Sequence, residues 1–223
     1  DQSGIKHITP DIFGAITTLR RTDFLFFISS STINRFCENE DIRRYVNIAA
    51  DDIRYMPYDH IHRAVCDYYR ALLPADHEYY LAPFSIKKGA NIYGLIFGSG
   101  HVYGIDKFLH TCWKADPERG EANYDIDDDR LTPEQPSLFD EMDKPKKLNS
   151  FKDRLTQAIL DGRVRTNKDI YKSSLTCGCL PSHGKDVFRS LLKDKTLPKQ
   201  KMPAVSYDAW KSDKEQVIEL VNR

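Results

Sequence analysis

Three places in this 223-residue chain carry side chains whose types and spacing could do chemistry. The chain opens on Asp1, Gln2 and Ser3, an acid, an amide and a hydroxyl in a row ahead of Gly4. Groups of this kind orient a nucleophilic nitrogen by accepting its hydrogen bonds, which makes the trio the candidate for catalysis. Toward the other end, Ser182, His183, Lys185, Arg189, Lys193, Lys195, Lys199 and Lys201 gather hydrogen-bond donors and positive charge. Such a set can contact base edges and neutralise phosphates. Between the two, "NYDIDDDRLTPE" places Asn123, Asp125, Asp127, Asp129 and Glu134 at the ligand positions of a calcium loop. Asp128 stands sixth, where the sharp turn requires Gly, so a solvated acidic loop is the better reading and no metal is expected.

Other groupings resolve into structural roles. Cys177 and Cys179 in "CGC" have no second Cys/His pair at zinc-like spacing. His60 and His62, two apart on a helix, do not face each other. In "SSS", Ser31 reads as a helix cap and Ser29 and Ser30 as turn chemistry, while Lys87 and Lys88 decorate a hairpin turn. His101 and His110 stand without a visible partner, and Trp113 and Trp210 read as packing residues. Five cysteines with no disulfide-like spacing indicate reduced thiols and a cytoplasmic location.

Hydrophobic residues make up 40% and charged residues 30%, a globular balance. The apolar run "FLFFI" falls far short of the roughly 20 residues needed to cross a bilayer, and no secretory leader opens the chain, so no membrane contact is expected. The zero net charge conceals a split. Residues 1–145 carry 16 Lys+Arg against 24 Asp+Glu, and residues 146–223 carry 17 against 9. Two modules with different partners follow, the basic one being the candidate for nucleic acid. Their expected limits are 1–115 and 148–223, with an acidic, Pro-containing linker over 116–147.

In the first module "TDFLFFISSS" reads as a strand, apolar on both faces and therefore expected to be buried in a mostly parallel sheet. "TPDIFGAITTLRR" before it reads as a helix capped by Thr9 with Pro10 in its first turn. "STINRFCENEDIRRYV" and "YDHIHRAVCDYYRALLP" read as helices, the second burying Ile61, Val65, Tyr68/Tyr69 and Leu72. "EYYLAPFSIK" and "NIYGLIFGSG" read as a strand pair joined at "KKGAN", and "YGIDKFLHTCWKA" as a closing helix. This order predicts an α/β fold: a partial Rossmann-like, methyltransferase-type sheet ending in an antiparallel hairpin. In that fold the fourth strand ends in an acidic motif, and "DQSG" stands where it would end. On this reading the Gly-rich, cofactor-binding half precedes Asp1. One edge of the Phe24–Ile28 strand then lacks a neighbour, to be covered by that missing N-terminal half or by another chain.

The second module reads helix, helix, short Gly-containing turn, helix, followed by the basic, Pro-bounded "TLPKQKMPAV", the plan of a winged helix-turn-helix. "TNKDIYKSSLTCG" is capped by Thr166 with Asp169 three residues on, and "LPSHGKDVFRSLLKDK" by Ser182. The last helix is expected to enter the major groove by its N-terminal end. Ser182, His183, Lys185 and Arg189 would then face bases or phosphates, and Lys193, Lys195, Lys199 and Lys201 would neutralise backbone charge.

The stretches "FFISSSTINRF", "HIHRAVCDYYRALLP", "YYLAPFSIKKGANIYGLIFGSGH" and "GIDKFLHTCWKADPERGEANYDI" resemble the three-Cys-motif partner (TcmP) family of bacterial and mobile-element proteins. The resemblance implies a methyltransferase-like fold, S-adenosylmethionine as cofactor of the full-length protein, and a radical-SAM-like three-Cys-motif protein as partner. It further implies a nucleic-acid-associated methyltransferase, with this chain inactive by itself. The alternatives are a non-catalytic scaffold and a DNA-binding regulator. "DQSG" lacks the Pro-Pro and the aromatic residue of base-modifying methyltransferases, which counts against a nucleobase as methyl acceptor.

Overall fold

A computed structural model describes residues 7–19, 21–56, 60–88, 91–121, 146–212 and 215–220. Its chain divides into two compact units, Asp1–Ile126 and Asp127–Arg223. The first is a mixed α/β unit around a small antiparallel sheet, and the described part of the second is mainly helical.

In the first unit, α1 (Pro10–Thr18) begins as its sequence requires. Thr9 caps it by accepting the Ile12 N–H, and Pro10 occupies the first turn, where its missing N–H costs nothing. β1 (Asp23–Ser29) leads directly into α2 (Ser30–Arg35), followed by α3 (Glu40–Arg43), α4 (Ala50–Tyr55) and α5 (Ile61–Ala71). β2 (Tyr80–Lys88) and β3 (Asn91–Ser99) form the hairpin, and α6 (Val102–Ala115) closes the unit. The predicted single helix over 31–46 is broken at Phe36–Asn39, where Asn39 starts α3 by accepting the Asp41 N–H at 2.8 Å. Ser29, not Ser31, caps α2, because the strand runs into the helix with no intervening turn.

The strand order is β1-β3-β2 and both ladders are antiparallel, so the described sheet has no parallel pair of neighbours. Register fixes two faces. Phe24, Phe26 and Ile28 share one face with Ile96 and Leu81 and pack with Phe13, Val65, Cys66 and Tyr69 into the core. Gly94, opposite Ile28 and Ser85, makes this packing possible. A Cβ there would sit 2.4 Å from the Cβ of His62 on α5 and 2.7 Å from Ile28.

The other face departs from expectation. Leu25 is 55% and Phe27 37% exposed, so β1 is buried on one face only. The cause is position: β1 is an edge strand, paired among the described residues with β3 alone. α6 covers part of this face, with Phe108 stacked on Phe97 at 4.5 Å between ring centres. Phe27 lies opposite Leu95 and stacks with Tyr93 at 5.2 Å, and Ile86 is also exposed.

Residues 116–121, expected in the linker, fold onto the first unit. Asp116 accepts backbone N–H groups from Glu118 and Arg119, and the ring of Trp113 packs over Gly120, whose φ of +65° admits no side chain comfortably. Asp116, Arg119 and Glu121 are all buried. Composition read this segment as solvated; hydrogen bonds and ion pairs compensate its burial.

The second unit contains α7 (Lys146–Leu160), α8 (Asn167–Thr176), α9 (Pro181–Lys193) and α10 (Tyr207–Lys211). Phe151, Leu155 and Ile159 of α7, Ile170, Tyr171 and Leu175 of α8, and Val187, Phe188 and Leu191 of α9 are buried. α8 opens with the predicted capping box: Thr166 accepts the Asp169 N–H at 3.1 Å and Asp169 accepts the Thr166 N–H at 3.0 Å. α9 starts at Pro181, with Leu180 as its N-cap residue. Ser182, the predicted cap, therefore lies inside the first turn and is exposed. All five cysteines are free thiols, and no helix among the described residues is long and apolar enough to cross a membrane.

Candidate nucleic-acid interface

α8 and α9 are joined by the four residues Cys177–Leu180, and the turn depends on Gly178. Its φ of +68° lets Cys179 N–H reach the Ser174 carbonyl at 2.9 Å and closes α8. Gly184 in α9 permits the close crossing, since a Cβ there would lie 2.5 Å from Ser174 Oγ. Helix, glycine turn and helix are thus built from local signals that the sequence carries.

At 3.6 residues per turn, Ser182, Asp186, Arg189 and Lys193 form one stripe along α9, with Lys185 on its flank. All are exposed except Lys185, which is half-buried. His183 lies about 100° around the helix from Ser182. Its Nδ1 accepts the Leu180 N–H at 3.2 Å, so the ring turns back to cap its own helix. Burial lowers its pKa below the usual histidine value, with Lys147 adding to the effect and Asp186 opposing it. The ring borders a cavity of about 290 Å³ between α7 and α9, lined by Leu148, Phe151, Val187 and Ser190. His183 is therefore a structural residue and does not belong to the exposed stripe.

Beyond α9, Lys195, Lys199 and Lys201 are exposed. Lys195 has a left-handed φ of +57°. The segment predicted as a projecting wing is held down. Leu197 and Val205 are buried in it, and Gln200 bonds the backbone of Glu219 in both directions, at 2.9 and 3.0 Å. Gln216 accepts the Ala204 N–H at 2.6 Å, and Asn167 links Ala204 and Gln216 at 2.9 Å each. A bridge between Thr166 and Val217 completes the arrangement. The excursion between the two tied segments contains α10, whose Trp210 lies against Tyr171.

Sequence reading missed Asp186, the one acid on the stripe, which ion-pairs with Arg189. The signal was available in the three-residue spacing of opposite charges on a helix.

The predicted catalytic trio Asp1, Gln2 and Ser3 and the calcium-like run 123–134 lie outside the described residues. Among the described residues no cluster of three or more His, Cys, Asp or Glu could hold a metal. A cavity of about 580 Å³ does open in the first unit, at the end of the sheet where β1 starts and β3 finishes, lined by Arg21, Asp23, His77, Tyr79, Ser99 and His101. At the opposite end β1 runs into α2, with Ser29 capping and Ser30 fully buried.

His101 and His110 both have partners. His101 Nδ1 accepts the Tyr103 N–H at 3.1 Å and caps α6, and His110 lies 3.4 Å from Asp106. His62 is fully buried. Its Nε2 is 3.3 Å from Glu121, which also pairs with Arg63 at 3.0 Å, while its Nδ1 has no hydrogen-bond partner among the described residues. No protein-family model, curated protein or solved structure matches the chain.

Proposed function

We propose that this protein binds duplex nucleic acid through its second unit, with α9 as the helix presented to the major groove. The single observation that carries this reading is the α8–Cys177–Leu180–α9 unit with Arg189 and Lys193 exposed on α9 and Lys195, Lys199 and Lys201 exposed just beyond it. The surplus of 17 Lys+Arg over 9 Asp+Glu in residues 146–223 supplies the field. The thread of tied segments around Thr166, Gln200 and Gln216 supports a winged-helix form of the unit.

The first unit is, on this proposal, the second half of a methyltransferase-type sheet of the three-Cys-motif partner kind. A sheet-completing segment supplies the S-adenosylmethionine site, and this chain by itself transfers no methyl group. A scaffold reading has one observation in its favour: the exposed Leu25 and Phe27 beside the edge of β1 that has no neighbour among the described residues, which suit a protein partner.

The test is fluorescence anisotropy of the full chain against labelled duplex DNA, duplex RNA and single strands across a salt series. Duplex affinity falls steeply and linearly in log–log form, and Lys193→Glu with Lys199→Glu flattens the slope. Absence of duplex binding at low salt overturns the reading. Heat on titrating S-adenosylmethionine into this chain would overturn the assignment of the cofactor site to a segment outside the two units.

A further inference from the structure

The exposed stripe of α9 carries an acid where a purely phosphate-binding face has no use for one. Asp186 stands one turn before Arg189, both side chains are largely exposed, and their Oδ1 and Nη1 are bonded. An aspartate facing the duplex repels phosphates and lowers sequence-independent affinity. It also pairs with Nη1 of Arg189 and restricts the guanidinium, and the remaining donors of the fork stay available to a ligand.

We propose that Arg189, positioned by Asp186, reads a guanine in the major groove, donating two hydrogen bonds to its O6 and N7. This rests on the nucleic-acid reading of α9 above and deepens it: the target is a duplex DNA site containing a required G·C pair. Two features of the helix agree. His183 is withdrawn into its own cap and takes no part in the readout, which leaves Arg189 as the only forked donor on the stripe. Lys185 and Lys193, on the same side of the helix, are point charges suited to phosphates. Asp186 is a positioning residue, and its carboxylate is of the type that accepts from a cytosine N4 amino group.

The experiment is selection by the full chain from duplexes with a randomised central segment. Affinities for the selected duplex and a scrambled one are then measured for the parent and three variants. Arg189→Ala should cut the selected-to-scrambled ratio by about tenfold or more, the worth of one bidentate pair. Arg189→Lys should lose the same discrimination while keeping scrambled-duplex affinity, because charge is retained and the fork is not. Asp186→Asn should raise scrambled-duplex affinity and narrow the ratio. Lys193→Ala should weaken both duplexes equally. Tight binding with no selected sequence, or a ratio unmoved by Arg189→Ala, overturns the guanine assignment and leaves the nucleic-acid reading standing. An unmoved ratio in Asp186→Asn overturns the positioning role. Failure to bind any duplex overturns the reading beneath both.

Discussion

Glu121 is 3% exposed, and burying a carboxyl group that dry is costly unless it has partners. Arg63 and His62 supply them from the first turn of α5, 58 and 59 residues away in sequence. Removing one member of such a group strands the others. Glu121→Ala should therefore cost about 2 kcal/mol or more, read as a lower denaturant midpoint for the first unit, with Glu121→Gln intermediate. His183 gives a second residue-scale expectation. Its folded pKa is lowered by burial, so the unfolded chain binds more protons and stability falls as pH drops through the ordinary histidine range near 6.5. Protonation also removes the acceptor for Leu180 N–H. Melting of the second unit should shift down between pH 7.5 and 5.5, and less so in His183→Gln. Neither group was legible as such. Glu121 sits in an acidic stretch that reads as linker, and nothing local ties it to "HIH". His183 was counted with the exposed cations because position along the helix was read without position around it.

At the scale of elements, α7, α8 and α9 end in the same way, on a left-handed residue followed by a hydrogen bond back five residues. Gly162 and Gly178 serve the first two; Lys195 serves the third. A side chain in that conformation costs about 1 kcal/mol that glycine does not incur. Lys195→Gly should raise the stability of the second unit by about that amount and lower the log–log salt slope of duplex binding by about 1, if the lysine contacts a phosphate. Gly178→Ala should lose about 1 kcal/mol by the same reasoning. Gly94→Ala acts through space: its Cβ would meet His62 and Ile28, so a loss of about 1–3 kcal/mol is expected in chemical unfolding. These helix ends show what sequence reads well. Thr166 with Asp169, and Gly162 and Gly178 as stops, are local signals decided within one turn. The α9 start was misassigned to Ser182 because Pro181 already fills the first helical position. β1 was legible as a strand, but which of its faces is dry depends on neighbours that no local pattern encodes.

For the whole molecule, the charge split was the readable clue to two units, whereas their boundary was not, since 116–121 belongs with the first core despite its composition. Each unit buries its own aromatic centre, Phe26 with Tyr69 in one and Phe188 with Tyr171 in the other. Phe26→Ala and Phe188→Ala should each cost about 3–5 kcal/mol, and differential scanning calorimetry should show them lowering different transitions. A single transition moved equally by both would refute separate cores.

Among the described residues β1 offers seven residues of edge backbone beside Leu25 and Phe27, with neither lysine nor proline between Phe24 and Ile28 to interrupt a visiting strand. Such a rim is a template without a stop codon, so to speak, and its occupancy obeys mass action. Left uncovered, it makes shelf life a question of dilution more than of heat: each doubling of concentration favours self-stacking over the solitary chain.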